Sequence, residues 1–124
     1  MLFRSATKFF TQAVQRDPRS SKARVMLGMA LFRTGRFDEA GKEFQSALKL
    51  HPANPDAKTG LARVALQQHR TADAITLLEA TINEDPEDVT AFRLLAEVYN
   101  AQSDTVKSAM YMTRAEEIEK KRRQ

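Results

Sequence analysis

The chain has 124 residues, 42% of them hydrophobic and 29% charged, with a net charge of +4. That size and balance fit one soluble globular domain and exclude a disordered chain, and no apolar run approaches the roughly 20 residues that a membrane-spanning helix needs. Cysteine is absent, which excludes a disulfide framework, a thiol nucleophile and a cysteine metal site and favours an intracellular, cytoplasmic setting.

The opening stretch, MLFRSATKFFTQAVQR, carries Arg4, Lys8 and Arg16 with no acid before Asp17. Its apolar spacing predicts a helix over about 2–16. Its composition also suits a mitochondrial targeting helix, the alternative localisation, and one amphipathic basic helix can serve both roles. Apolar residues at intervals of three and four predict further helices over about 20–34, 37–50, 54–68, 71–84, 88–101 and 104–122. Asp38-Glu39 and the acids of EDPED fall at helix starts, where they complement the macrodipole. Asp85 and Asp88 read as capping residues.

The breaks between helices recur. Pro18, Pro52 and Pro86 are spaced 34 residues apart and close similar phrases: FTQAVQRDP, FQSALKLHP and LEATINEDP. A second phrase follows each proline in register, with Leu27-Gly28 over Leu61-Ala62 over Leu95-Ala96 and Leu31 over Ala65 over Tyr99. Proline lacks an amide hydrogen and clashes with the preceding turn, so each one ends a helix or begins the next. The small residues Gly28, Ala62 and Ala96 allow two helices to approach closely. One unit is then an antiparallel helix pair that cannot bury its apolar stripe alone, and stacked neighbours complete the core.

This period and motif resemble the tetratricopeptide repeat, a 34-residue helix–turn–helix with Leu-Gly, an aromatic, Ala, Phe and a closing Pro. Residues 21–54 carry Leu27-Gly28, Leu31, Gly35, Phe37, Ala40, Phe44, Ala47 and Pro52. Residues 55–88 carry Leu61-Ala62, Ala74, Leu78 and Pro86, and residues 89–122 carry Phe92, Leu95-Ala96, Tyr99, Ser108, Met112 and Ala115. Arg24 and Lys58 depart from the large apolar residue the family favours early in its first helix. The resemblance implies an all-α, right-handed superhelical solenoid. It would form one domain over 1–124: a leading unpaired helix in 1–20, then three repeats at 21–54, 55–88 and 89–122. It also implies a non-catalytic scaffold or adaptor that binds a peptide or partner protein on the concave wall lined by first helices. Some members clamp the acidic C-termini of heat-shock chaperones with Lys, Asn and Arg. The corresponding positions here are mainly Val25, Met29, Gly60, Thr90 and Leu94, so that ligand class is not expected.

The first helix of the first repeat is apolar almost all round, and Val25, Met26, Met29 and Phe32 lie largely off its core stripe. They either pack on neighbouring helices or form an apolar bed for a bound segment. Thirty-four residues on, Val25 becomes Thr59 and then Arg93, Met29 becomes Arg63 and then Glu97, and Phe32 becomes Leu66 and then Asn100. The expected groove therefore comprises Val25, Met26, Met29, Phe32, Arg33, Thr59, Arg63, Gln67, Arg93, Glu97 and Asn100. It grades from apolar to polar, with Arg63 and Arg93 suited to a carboxylate or phosphate.

His51 and His69, the only histidines, have no metal-ligand spacing, and no glycine-rich phosphate loop is present, so neither cofactor, metal nor enzymatic activity is expected. The end AEEIEKKRRQ raises nucleic-acid association through the basic ends as the alternative function. Against it, Glu116–Lys120, Glu117–Lys121 and Glu119–Arg123 are i,i+4 pairs in the helix-favouring order. Leu2, Phe3, Phe9 and Phe10 at one end, and Met110, Tyr111, Met112 and Ile118 at the other, are expected to leave a terminal helix uncovered. Self-association or further flanking repeats would cover it.

Overall fold

A computed structural model describes residues 2–124, with side chains from residue 5 onward; the side chains of Leu2, Phe3 and Arg4 lie outside the described residues. Among the described residues there are seven helices and no strand. They are α1 Leu2–Arg16, α2 Ser21–Arg33, α3 Phe37–Leu50, α4 Pro55–Gln67, α5 Thr71–Glu84, α6 Val89–Ala101 and α7 Thr105–Arg122. Every boundary falls within one residue of the expectation.

Local chemistry at the 34-residue period sets these ends. The side-chain oxygens of Ser20, Asn54 and Asp88 accept the amides of Ala23, Ala57 and Ala91 at 3.0, 3.2 and 3.0 Å. Each satisfies an orphan donor of α2, α4 or α6. Pro55 opens α4, where its missing amide hydrogen costs nothing. At the other ends, Gly35, His69 and Ser103 have φ of 81°, 60° and 63°. Arg36 donates to the Leu31 carbonyl at 2.9 Å and Gly35 to Phe32 at 3.0 Å. The same two bonds recur from Arg70 and His69, and again from Asp104 and Ser103. Three Schellman turns thus stop α2, α4 and α6.

Only the first of these left-handed positions is a glycine, and nothing lies within 4 Å of where a Cβ on Gly35 would stand. The glycine is there for its φ alone. Ser103→Gly is therefore expected to raise the unfolding free energy by about 0.5–1 kcal/mol, because relief of left-handed strain outweighs the extra chain entropy glycine loses. A urea titration with unchanged slope checks it; an unchanged or lower midpoint would refute it.

Contacts divide the chain into two compact units, one ending at Arg70 and one beginning at Thr71. In the first, α1 packs on α2, α2 on α3 and α3 on α4, and α2 also touches α4. Its core gathers Val25, Leu27, Leu31, Ala40, Phe44 and Val64, with Phe10 and Val14 of α1 packed against it. The opening segment is therefore a structural helix of the first unit. Phe44 sits between two glycines. A Cβ on Gly28 would stand 2.8 Å from its ring and one on Gly60 2.5 Å, so the ring needs bare backbone on both sides. Arg24, at the departure from the family pattern, pairs with Glu43 at 3.0 Å and donates from Nε to the Pro18 carbonyl at 3.1 Å. A charge pair replaces the apolar contact there.

In the second unit α5 packs on α6 and α6 on α7. Leu78 and Leu95 are fully buried, and Ser108 donates to the Ala96 carbonyl at 2.8 Å, which places α7 close against the small-residue position of α6. Tyr111 stacks on Tyr99 at 5.7 Å, and the Lys107 ammonium lies 5.0 Å from the Tyr99 ring centre. Burial, and then the neighbouring Tyr99 and Glu79, raise the Tyr111 hydroxyl pKa above its ordinary 10.0. Ile118, expected to be uncovered, is instead 3% exposed and joins Phe92 and Ala115 in a core cluster. Tyr111 and Met112 are half-buried. Met110, at 56%, and Phe9, at 65%, remain exposed.

Candidate functional site

The expected groove residues fall into three groups. Val25 is 4% exposed and belongs to the core of the first unit, so it has no surface to offer a bound segment. Met26, Phe32 and Thr59 are half-buried; the Phe32 ring meets Phe37 edge-on at 5.2 Å and also backs onto that core. Met29 is 38% exposed, and Arg33, Arg63 and Gln67 are exposed as well.

That exposed set is ordered. Met29 and Arg33 lie one turn apart on α2, and Arg63 and Gln67 lie one turn apart on α4, so each pair is a stripe on one helix face. The two helices are in contact, and their stripes occupy the same positions of successive units. The first unit thus carries two parallel stripes: a polarisable thioether beside a guanidinium, and a second guanidinium beside an amide. Arg63 and Arg33 can donate to a carboxylate in a fork, and Met29 can adapt to an apolar side chain.

In the second unit, Glu97 and Asn100 of α6 are exposed. Arg93 is already engaged. Its Nη2 makes an ion pair with Glu119, and its Nη1 lies 3.5 Å from the Met112 sulfur. The donor expected for a ligand carboxylate thus has a carboxylate from α7. Of the acids in the i,i+4 pairs read from the sequence, Glu119 goes to Arg93 and Glu117 to Arg114 at 3.6 Å. Val106, 78% exposed on α7, was not singled out by sequence reasoning. The signal available was that its partners one and two repeats earlier are Ala72 and Asp38.

Among the described residues, no three His, Cys, Asp or Glu side chains stand together as a metal site, and no described helix is long and apolar enough to cross a membrane.

Family models described as Tetratricopeptide repeat match residues 36–98 and 3–55. Among curated proteins, human Protein O-mannosyl-transferase TMTC1 is 26% identical over 102 residues, covering 81% of this chain and 12% of that protein. The Cell division cycle protein 27 homolog of Caenorhabditis elegans is 32% identical over 81 residues, covering 65% and 10%. The Small glutamine-rich tetratricopeptide repeat-containing protein 2 of Mycosarcoma maydis is 43% identical over 51 residues, covering 41% and 14%. The chain thus matches between 10% and 14% of the length of these relatives. Among solved structures, MamA superposes with a TM-score of 0.84 at 26% identity, covering 98% of this chain and 71% of MamA. YrrB, described as a TPR protein with an unusual peptide-binding site, superposes at 0.78 with 19% identity, covering 94% and 60%, a likeness of fold alone. The fold class is the all-α helical solenoid expected from the period, and the chain belongs to the tetratricopeptide repeat family.

Proposed function

We propose that the chain is a non-catalytic scaffold whose first unit holds an extended or helical peptide of a partner protein on the α2–α4 face. The observation that carries this reading is the pair of exposed stripes, Met29 with Arg33 and Arg63 with Gln67, on two touching helices at equivalent positions. Between their ends both helices use their backbone groups within the helix, so recognition falls to these side chains. The apolar end of the peptide would rest on Met29, backed by the half-buried Met26 and Phe32, and an acidic residue would meet the arginines. In the second unit, the Arg93–Glu119 pair leaves Glu97 and Asn100 as the polar groups offered by α6. Membership of a family of interaction scaffolds supports the coarse reading; the ligand chemistry rests on the stripes.

Met29→Glu together with Arg63→Glu places two acids where the peptide would bring apolar and acidic groups. Capture of the chain's partners from native extract is expected to fall at least about tenfold, about 1.4 kcal/mol. The circular dichroism spectrum and thermal midpoint should stay unchanged, because both positions are exposed. Undiminished capture by the double variant would refute the assignment.

A further inference from the structure

We infer that Met29 is a modification site that switches the α2–α4 face: hydrogen peroxide oxidises its thioether to the sulfoxide and turns peptide capture off, and enzymatic reduction turns it on again. This inference rests on the peptide site proposed above and names its regulation.

The chain has five methionines and no cysteine, so its sulfur redox chemistry falls on thioethers. Met1 lies outside the described residues. Met26 and Met112 are half-buried, and the Met112 sulfur lies 3.5 Å from Nη1 of Arg93. Met29 and Met110 are the two open to solvent, at 38% and 56% exposure, and Met110 belongs to the second unit. The exposure of Met29 goes with its place in the repeat, since its counterparts one and two repeats on, Arg63 and Glu97, are exposed as well. Among the described residues of α2 and α4, Met29 is the one large apolar side chain that is exposed. The apolar contact offered to a ligand on this face therefore depends on a single oxidisable sulfur.

In the forward step a sulfur lone pair attacks one peroxide oxygen and the O–O bond breaks. The other oxygen leaves as hydroxide and takes up the remaining proton as water, so sulfur is oxidised and peroxide reduced by two electrons. The product carries a polar S=O group where the face had an apolar sulfur, which withdraws the surface a ligand's apolar residue would cover. It also adds an acceptor beside donors. Arg33 follows one turn along α2, and Arg63 holds the equivalent position on the touching helix α4. A guanidinium that donates to the sulfoxide oxygen has fewer N–H groups left for a ligand carboxylate. One oxygen atom thus weakens both halves of the recognition. The fold should survive the change, because Met29 lies outside the core cluster that takes Val25, Leu27 and Leu31 from the same helix.

The test begins with random peptides displayed on phage and selected on the unoxidised full chain, keeping clones whose binding is lost in Met29→Glu with Arg63→Glu. Brief hydrogen peroxide treatment should convert Met29 ahead of Met26, read by mass spectrometry of the tryptic fragment 25–33. Binding of the kept clones should then fall about tenfold, the loss expected when one methionine side chain is no longer buried, with an unchanged thermal midpoint. Methionine sulfoxide reductases with dithiothreitol should restore it. A bound clone peptide should shield Met29, but not Met110, from peroxide. Met29→Leu should bind equally before and after peroxide, whatever its starting affinity, whereas Met110→Leu should keep the full response. Binding that survives conversion of Met29, that falls as far in Met29→Leu, or a Met29 left unconverted when Met110 is oxidised overturns the switch and leaves the peptide site standing. A selection without any clone sensitive to Met29→Glu with Arg63→Glu removes the peptide site, and the switch with it.

Discussion

Phe44→Ala is expected to lower the unfolding free energy by about 3–5 kcal/mol, the range for emptying a buried phenylalanine site. The ring is 1% exposed, and its neighbours are poorly placed to collapse into the space. Gly28 and Gly60 have no side chains to lean inward, and their backbones are fixed in α2 and α4. The cavity should persist, which argues for the upper part of the range. Chemical denaturation checks the magnitude, and hydrogen exchange checks the place: amides of α2, α3 and α4 should lose protection. A loss under about 1 kcal/mol would mean that the helices close over the site and that the ring is not what separates them.

The same residue shows how much could be read in advance. Phe44 was visible as part of a recurring phrase, and the phrase fixed helix number, order and ends, because caps, prolines and left-handed turns all repeat at the same interval. Those are local effects, each written in one to four residues. What escaped is tertiary. An all-round apolar α2 could not reveal which of its sides would be covered; it packs against α1, α3 and α4, and Val25 enters the core while Met29 stays out. Arg93 and Glu119 lie 26 residues apart, so nothing local announced that the arginine was already engaged. Arg24 similarly departs from the family's apolar pattern, and its partner Glu43 lies 19 residues away. Ile118 seemed uncovered because α7 was read as a last layer, whereas its own partner α6 supplies Phe92. Candidate-site residues were thus legible as positions but not as accessible groups, since accessibility is decided by neighbours far away in sequence.

Gly60→Ala should also be damaging, although it adds one methyl group. Gly60 follows Pro55 by little more than a turn in α4, and alanine is the better helix former by about 1 kcal/mol, so local propensity predicts stabilisation. Packing predicts the reverse. The added carbon would stand 2.5 Å from both Cε1 and Cζ of Phe44 and 2.7 Å from Cε2. The ring cannot yield toward α2, where Gly28 is equally close-packed, so α4 must shift away from α3. Overpacking of this kind costs about 1–3 kcal/mol and should win. A double-mutant cycle separates the two terms. Combined with Phe44→Leu, whose smaller side chain leaves room, Gly60→Ala should cost much less than it does alone, with a coupling of about 1 kcal/mol or more. Simple additivity would place the cost elsewhere in α4 and would contradict the account of a ring held between two bare stretches of backbone.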